Sequence, residues 1–230
     1  MKKEIFRYIK LMSGLIICAF GIVAILNSNL GLSPWDVLNQ GLHKQIGITM
    51  GQANIAVGLV VILIGLYFKQ PIGSGTILNV IFVGIFVDIF IFSNLIPWGD
   101  TILKQIILFA VGILTFALGS YMYISTGCGC GPRDGLMVVF TKKTGLPVGV
   151  IRGGLELFAL TTGYFLGGKL GVGTVIFSLG AGYLIQIYFQ IFKEDIKKIE
   201  HRSVVREIKL LKNYLKQSSE CCGYKIKEGK

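Results

Sequence analysis

The charged residues that stand inside otherwise apolar sequence are the candidates for chemistry in this 230-residue chain. Arg152 and Glu156 lie four residues apart, which places them on one face of a helix. Arg133 and Asp134 follow a proline in a glycine-rich stretch. A guanidinium at the positive start of a helix is a suitable group for binding an anion. Because acids in an apolar layer need a partner or a wet cavity, we expect these four residues to form one network that binds a small solute.

Each of these residues also has a purely structural interpretation. An ion pair between Arg133 and a neighbouring acid would lock the fold without binding a solute. Asp36, the counterpart of Asp134, is a further candidate for the solute site. Both acids stand at helix starts, where a carboxylate caps backbone N–H groups. Arg152 would extend to the headgroups if it lay near the membrane surface. Asp88 is a further candidate for a pathway or proton-coupled site, and an acid facing the headgroups is its alternative.

The sequence offers no set of residues typical of a catalytic or metal site. Cys128 and Cys130 have no histidine nearby to complete a metal site. No pattern typical of a nucleophile and its base is present. The stretch Gly73–Thr76 lacks the lysine of a phosphate-binding loop, and its small residues favour close helix packing. We therefore expect no enzymatic activity, no cofactor and no metal.

The elements that position these residues are predicted from hydropathy. Hydrophobic residues make up 53% of the chain and charged residues 15%, which excludes an ordinary soluble domain. A membrane span needs about 20 apolar residues. Six segments approach or meet this length: 11–27, 52–68, 72–93, 102–124, 149–168 and 170–192. The pattern predicts an all-α polytopic membrane protein whose first span is retained rather than cleaved.

The chain matches itself, without a gap, when it is shifted by 98 residues. Nine glycines of the first half then fall on glycines of the second, which indicates an internal duplication. The predicted repeats are residues 1–97 and 98–192, each with three spans. An odd number of spans reverses the second copy in the membrane. The sequence therefore predicts a 3+3 inverted repeat, an architecture that recurs among transporters and channels.

Each repeat also contains a stretch, between its first and second spans, that is too short to cross a membrane. These stretches, residues 34–45 and 132–143, begin with proline and carry basic residues near their ends, which predicts a short helix in each. The helix either lies along the interface or re-enters among the spans. The apolar run at 135–140 favours re-entry in the second copy. For the first copy both placements stay open.

Positive charge predicts the orientation. With the N-terminus inside, the outer segments hold only Lys44, Lys104 and Lys169, so both termini are predicted to be cytoplasmic. Of the 23 Lys and Arg residues, 11 lie in the tail at 193–230. The tail alternates apolar and basic positions with a helical period, which favours binding to anionic lipid headgroups or to a partner rather than to nucleic acid.

Two motifs carry a family resemblance: Gly-Leu-Ser-Pro-Trp-Asp at 31–36 and Gly-Pro-Arg-Asp-Gly-Leu-Met at 131–137. They resemble the bacterial YczE/YyaS/YitT group of integral membrane proteins over about residues 10–192. The resemblance implies a multi-pass protein of the inner membrane, and it implies no activity and no catalytic residues.

The first functional hypothesis is a transporter or channel-like protein for a small, anionic solute. The alternative is a non-transporting scaffold or regulator that acts through the basic tail. The sequence identifies neither the substrate nor the coupling ion. It also leaves the oligomeric state open, and a homo-oligomer is one of the alternatives.

Overall fold

The computed structural model describes residues 2–70, 72–129 and 131–194, and every regular element in these ranges is an α-helix. The elements are α1 (Lys2–Ser28), α2 (Pro34–Ile46), α3 (Met50–Tyr67), α4 (Ser74–Phe92), α5 (Ile102–Ser125), α6 (Pro132–Thr144), α7 (Val148–Phe165) and α8 (Val172–Ile191). The tail from residue 195 onward lies outside the described residues, as does Cys130. The expected roles of the tail therefore stay predictions.

Five of the described helices have the length and apolar composition of a membrane span. They are Glu4–Ser28 within α1, α3, α4, α5 and α8. The helix α7 has 18 residues, as α3 does, but it carries Arg152 and Glu156 and is not among the five. Large apolar side chains such as Leu63 and Ile106 are exposed on the outer faces, as expected where lipid rather than water surrounds the helices. The all-α membrane architecture is confirmed, and a sixth span at 149–168 stays a prediction.

The two short helices fall within one residue of their predicted ranges, because their ends are encoded locally. The Ser33 hydroxyl caps α2 by accepting from the N–H of Asp36 at 3.2 Å. Each helix ends at a glycine with positive φ, Gly47 at 77° and Gly145 at 71°, a conformation that glycine adopts without strain. The start of α6 differs, because Gly131 at the N-cap position has no side chain to offer.

The first short helix is the more enclosed of the two. Seven residues between Pro34 and Gly41 are buried in α2, whereas α6 buries only Gly135 and Leu136. The cover on α2 comes from α7, since a Cβ added to Gly41 would lie 2.8 Å from the carbonyl oxygen of Gly163. The apolar run at 135–140 favoured stronger burial of the second copy, and the opposite order is found.

The helices α1 and α5 cross at the centre of the molecule, where glycines let their backbones touch. A Cβ added to Gly14 would lie 2.9 Å from the carbonyl oxygen of Gly119, and one added to Gly21 would lie 2.7 Å from that of Gly112. The residue numbers of the contacts increase along α1 while those of their partners on α5 decrease, so the two helices are antiparallel. Gly112 and Gly119 are also the counterparts of Gly14 and Gly21 at the register of 98 residues, which makes the crossing reciprocal.

The same reciprocity holds at the starts of α4 and α8. The N–H of Gly75 donates to the carbonyl of Cys128 at 2.8 Å, and the N–H of Gly173 donates to that of Leu30 at 2.9 Å. Each of these residues is the counterpart of one in the other bond. The glycine-rich starts of α4 and α8 therefore each pack on a loop from the other half of the chain.

Candidate functional site

A cavity of about 170 Å³ is lined by residues from both halves of the chain, and we call it the central cavity. Its wall is built largely from counterpart positions in the two copies. Three such pairs are Cys18 with Phe116, Val57 with Leu155, and Val83 with Ala181. The central cavity therefore lies where the reciprocal contacts of the fold converge.

Four of the six candidate residues line the central cavity: Arg133, Asp134, Arg152 and Glu156. The helix α7 supplies two of them, and Nε of Arg152 donates to Oε1 of Glu156 at 3.0 Å. The Arg152 side chain is 49% exposed and that of Glu156 24%, so the pair reaches from the cavity to its edge. These four residues therefore line one cavity, and the network that would join the two pairs stays a prediction.

The guanidinium of Arg133 is held by two residues of the first repeat. Its Cζ atom lies 5.0 Å from the ring centroid of Trp35, a cation–π distance. Its Nη2 atom donates to Oδ1 of Asn54 at 3.5 Å. Trp35 is the counterpart of Arg133 itself, and Asn54 is the counterpart of Arg152. Arg133 is therefore fixed where the two halves of the chain meet, with further N–H groups on its five-donor fork.

The first turn of α6 also forms part of the wall, through Gly131, Pro132, Arg133 and Asp134. In α2 the equivalent N–H groups meet the hydroxyl of Ser33, but Gly131 provides no side-chain oxygen. The N-terminus of a helix carries partial positive charge and unsatisfied donors. The first turn of α6 therefore brings the positive end of a helix and the Arg133 guanidinium to the wall of the central cavity, beside the carboxylate of Asp134.

The remaining two candidates lie outside the central cavity. Asp36 is 5% exposed, and its carboxylate accepts from the Ser33 hydroxyl and, at 3.3 Å, from the Asn39 amide. That geometry matches the capping interpretation of this acid. Asp88 lines a second cavity of about 700 Å³ and accepts from the Thr49 hydroxyl and, at 2.8 Å, from the N–H of Gly51.

Sequence reasoning missed several polar residues of the wall. Asn79 in α4 lines the central cavity, as do Ser120 and Tyr123 in α5. An amide inside an apolar span was an available signal for Asn79. No such signal marked Trp35, because its role depends on its closeness to Arg133 in space.

Comparison with known proteins places the chain in a family. A family profile described as "Family of unknown function (DUF6198)" matches residues 5–190. The chain belongs to this family. Among its relatives is the uncharacterized membrane protein YczE of Bacillus subtilis (strain 168), which is 36% identical over 189 residues, covering 81% of this chain and 87% of the relative. The similarity to YczE supports a location in the membrane.

Two further relatives of this DUF6198 chain are described only as uncharacterized. One is a protein of Haemophilus influenzae, 33% identical over 181 residues, covering 79% of this chain and 82% of the relative. The other is YyaS of Bacillus subtilis (strain 168), 28% identical over 182 residues, covering 77% and 90%. The resemblance to YczE and YyaS is confirmed. No solved structure matches the chain significantly.

Proposed function

We propose that the protein is a six-span 3+3 inverted repeat that moves a small anion across the inner membrane, with the central cavity as its binding site. The antiparallel crossing of α1 and α5 supports the inversion, because the two helices are counterparts in the repeat. The sixth span is α7. Its charged residues, Arg152 and Glu156, bond to each other and line the cavity, so they do not have to face lipid.

The placement in the membrane follows from charge and burial. The excess of Lys and Arg on one side of the spans supports a cytoplasmic location for both termini. The helix α2 begins at buried Pro34 and ends at exposed Ile46, and α6 ends at exposed Thr144. A buried start and an exposed end suit a re-entrant helix better than one that lies along the interface. Irregular backbone is tolerated at such depth where protein covers it.

The single observation that carries the anion proposal is the guanidinium of Arg133 at the uncapped start of α6, on the wall of the central cavity. Guanidinium and helix N-terminus both favour negative charge, and both act on the same space. The acids Asp134 and Glu156 line the same cavity and balance the two arginines when no solute is bound. An anion therefore competes with these carboxylates for Arg133 and Arg152.

The size of the central cavity sets the size of the solute. An apolar cavity of roughly 150 Å³ is known to hold benzene. The cavity of about 170 Å³ therefore suits a molecule of roughly six non-hydrogen atoms, such as a small carboxylate or an inorganic oxyanion. We place the protein among binding and transport proteins rather than enzymes, with the solute and the lipid bilayer as its partners.

The test is a thermal-unfolding assay on the purified full-length protein. Sodium formate and acetate are compared with formamide and acetamide, which have similar shapes and no charge, and nitrate and phosphate extend the series. A ligand at 100 times its Kd stabilises the folded state by about 2.7 kcal/mol. We expect at least one anion to raise the midpoint well above its neutral analogue, and the same anion to cross proteoliposome membranes that contain the protein.

Two variants complete the test. Arg133→Ala removes the guanidinium and should abolish the anion-dependent rise. Lys104→Ala removes an exposed cation that pairs with Asp100, outside the cavity, and should leave the rise unchanged. Failure of every anion to exceed its neutral analogue contradicts the proposal, and so does an Arg133→Ala response equal to that of the wild type.

A further inference from the structure

The helices α3 and α4 are closed against each other in the first repeat. A Cβ added to Gly51 would lie 2.0 Å from the carbonyl oxygen of Gly84, and one added to Gly58 would lie 2.7 Å from the side chain of Val80. Asp88 on α4 also holds the start of α3 through the Thr49 hydroxyl and the N–H of Gly51. No side chain can enter this crossing without moving a helix.

The equivalent helices of the second repeat are apart. Gly149 on α7 and Gly182 on α8 are the counterparts of Gly51 and Gly84. A Cβ added to Gly149 would meet nothing within 4 Å, and one added to Gly182 would meet only the guanidinium of Arg152, at 3.9 Å. The wall of the central cavity includes Leu155 on α7 and Ile185 on α8, so the cavity reaches into this gap.

The glycines of the open gap have no use in the observed arrangement. Gly182 lies in the middle of α8, where glycine is less stable than alanine by about 0.5–1 kcal/mol. At Gly51 the absence of a side chain lets α3 touch α4, but at Gly149 it permits no contact. A second arrangement, in which α7 contacts α8 as α3 contacts α4, would give both second-repeat glycines the role of their counterparts. Packed interfaces of this kind have discrete alternatives rather than a continuum.

Arg152 links this second arrangement to the solute. Its guanidinium lies beside Gly182, where α7 would have to approach α8. Closure therefore requires Arg152 to turn away from the gap. The central cavity is the polar space next to it, and an anion held there by Arg133 would draw the Arg152 guanidinium inward.

We propose that α7 closes on α8 through Gly149 and Gly182 when an anion draws Arg152 into the central cavity, and that α3 separates from α4 in exchange. This inference rests on the proposed function. The central cavity is then open between α7 and α8 in the observed state, and it is open between α3 and α4 in the second state. The two closed contacts are stabilised differently. Thr49 and Asp88 form a hydrogen bond between α3 and α4, whereas their counterparts are Pro147 and Gln186.

The first experiment compares two alanine variants on α7. Gly149→Ala and Gly154→Ala both replace a glycine that has nothing within 4 Å, so neither disturbs the observed state. The counterpart of Gly154 is Ala56, whereas the counterpart of Gly149 is the crossing glycine of the closed half. In proteoliposomes we expect Gly149→Ala to lower anion flux at least tenfold, while Gly154→Ala retains it. Both variants should have a midpoint equal to or above that of the wild type, and both should keep the anion-dependent rise.

Anion flux that survives in Gly149→Ala overturns the inference. The absence of anion binding by the wild-type protein overturns the proposed function instead.

The second experiment measures distances without relying on flux. Spin labels at exposed Leu157 and Leu179 report the separation of α7 and α8, and labels at their counterparts Leu59 and Ile81 report that of α3 and α4. We expect a population with a short distance between α7 and α8 and a population with a long distance between α3 and α4. The anion should increase both populations, and both should be absent in Gly149→Ala. One fixed distance per pair, with and without anion, contradicts the exchange.

Discussion

The crossing of α1 and α5 predicts that Gly21→Ala destabilises the protein strongly. The new Cβ would lie 2.6 Å from the backbone nitrogen of Phe116 and 2.7 Å from the carbonyl oxygen of Gly112. Ordinary contact begins at 3.4 Å, so the helices would have to separate by 3.4 minus 2.6, or 0.8 Å. A gap of 0.5–1 Å forfeits about a quarter to a half of the dispersion energy of each contact. We expect a loss of about 2–3 kcal/mol in the free energy of unfolding, which is the upper part of the usual range for overpacking.

The assay is the thermal midpoint of the purified protein, where this loss corresponds to a fall of about 4–12 °C for a chain of this size. Gly180→Ala is the matched control. It makes the same chemical change inside α8, where the Cβ would meet only the Ile113 side chain at an ordinary 3.9 Å. Its midpoint should stay the same or rise, because alanine favours the helix. Equal midpoints for Gly21→Ala and Gly180→Ala would refute a close central crossing.

Two further predictions concern polar residues. Ser33→Ala removes the cap of α2 and the hydroxyl that bonds the buried carboxylate of Asp36, so it should lower the free energy of unfolding by about 1–2 kcal/mol, measured as a fall in the thermal midpoint. A midpoint equal to that of the wild type would contradict the capping role. Lys104→Ala breaks an ion pair with Asp100 whose side chains are 60% and 71% exposed, and it should change the midpoint by less than about 2 °C. A large fall in this variant would mean that the pair is buried by a partner or by lipid.

Local signals in the sequence were sufficient to predict the helices. Proline at the start and basic residues near the end placed both short helices to within one residue. The first helix was predicted from residue 11 but begins at Lys2, because hydropathy marks the apolar part of a helix and the polar turns before it are equally helical. For α7 hydropathy does not support the predicted span at 149–168, since Arg152 and Glu156 lower the apolar character of this helix.

The site depended on distances that a sequence does not contain. The grouping of Arg133 with Arg152 could be inferred from charges in an apolar body. The contacts of Arg133 with Trp35 and Asn54 could not, because they join residues 98 and 79 positions apart. The open gap between α7 and α8 was equally hidden. Gly51 and Gly149 match in the sequence, and only the packing around them differs.

The opposite orientation of the two repeats is tested most directly by labelling at Gln45 and Lys143. These exposed residues are counterparts at the ends of α2 and α6. Each is changed to cysteine in a variant that lacks the native cysteines, and intact cells are treated with a thiol reagent that does not cross membranes. We predict labelling of Gln45→Cys from outside the cell, and labelling of Lys143→Cys only after the membrane is permeabilised. Labelling of both from the same side would contradict an inverted repeat and remove the basis for a binding site between its halves.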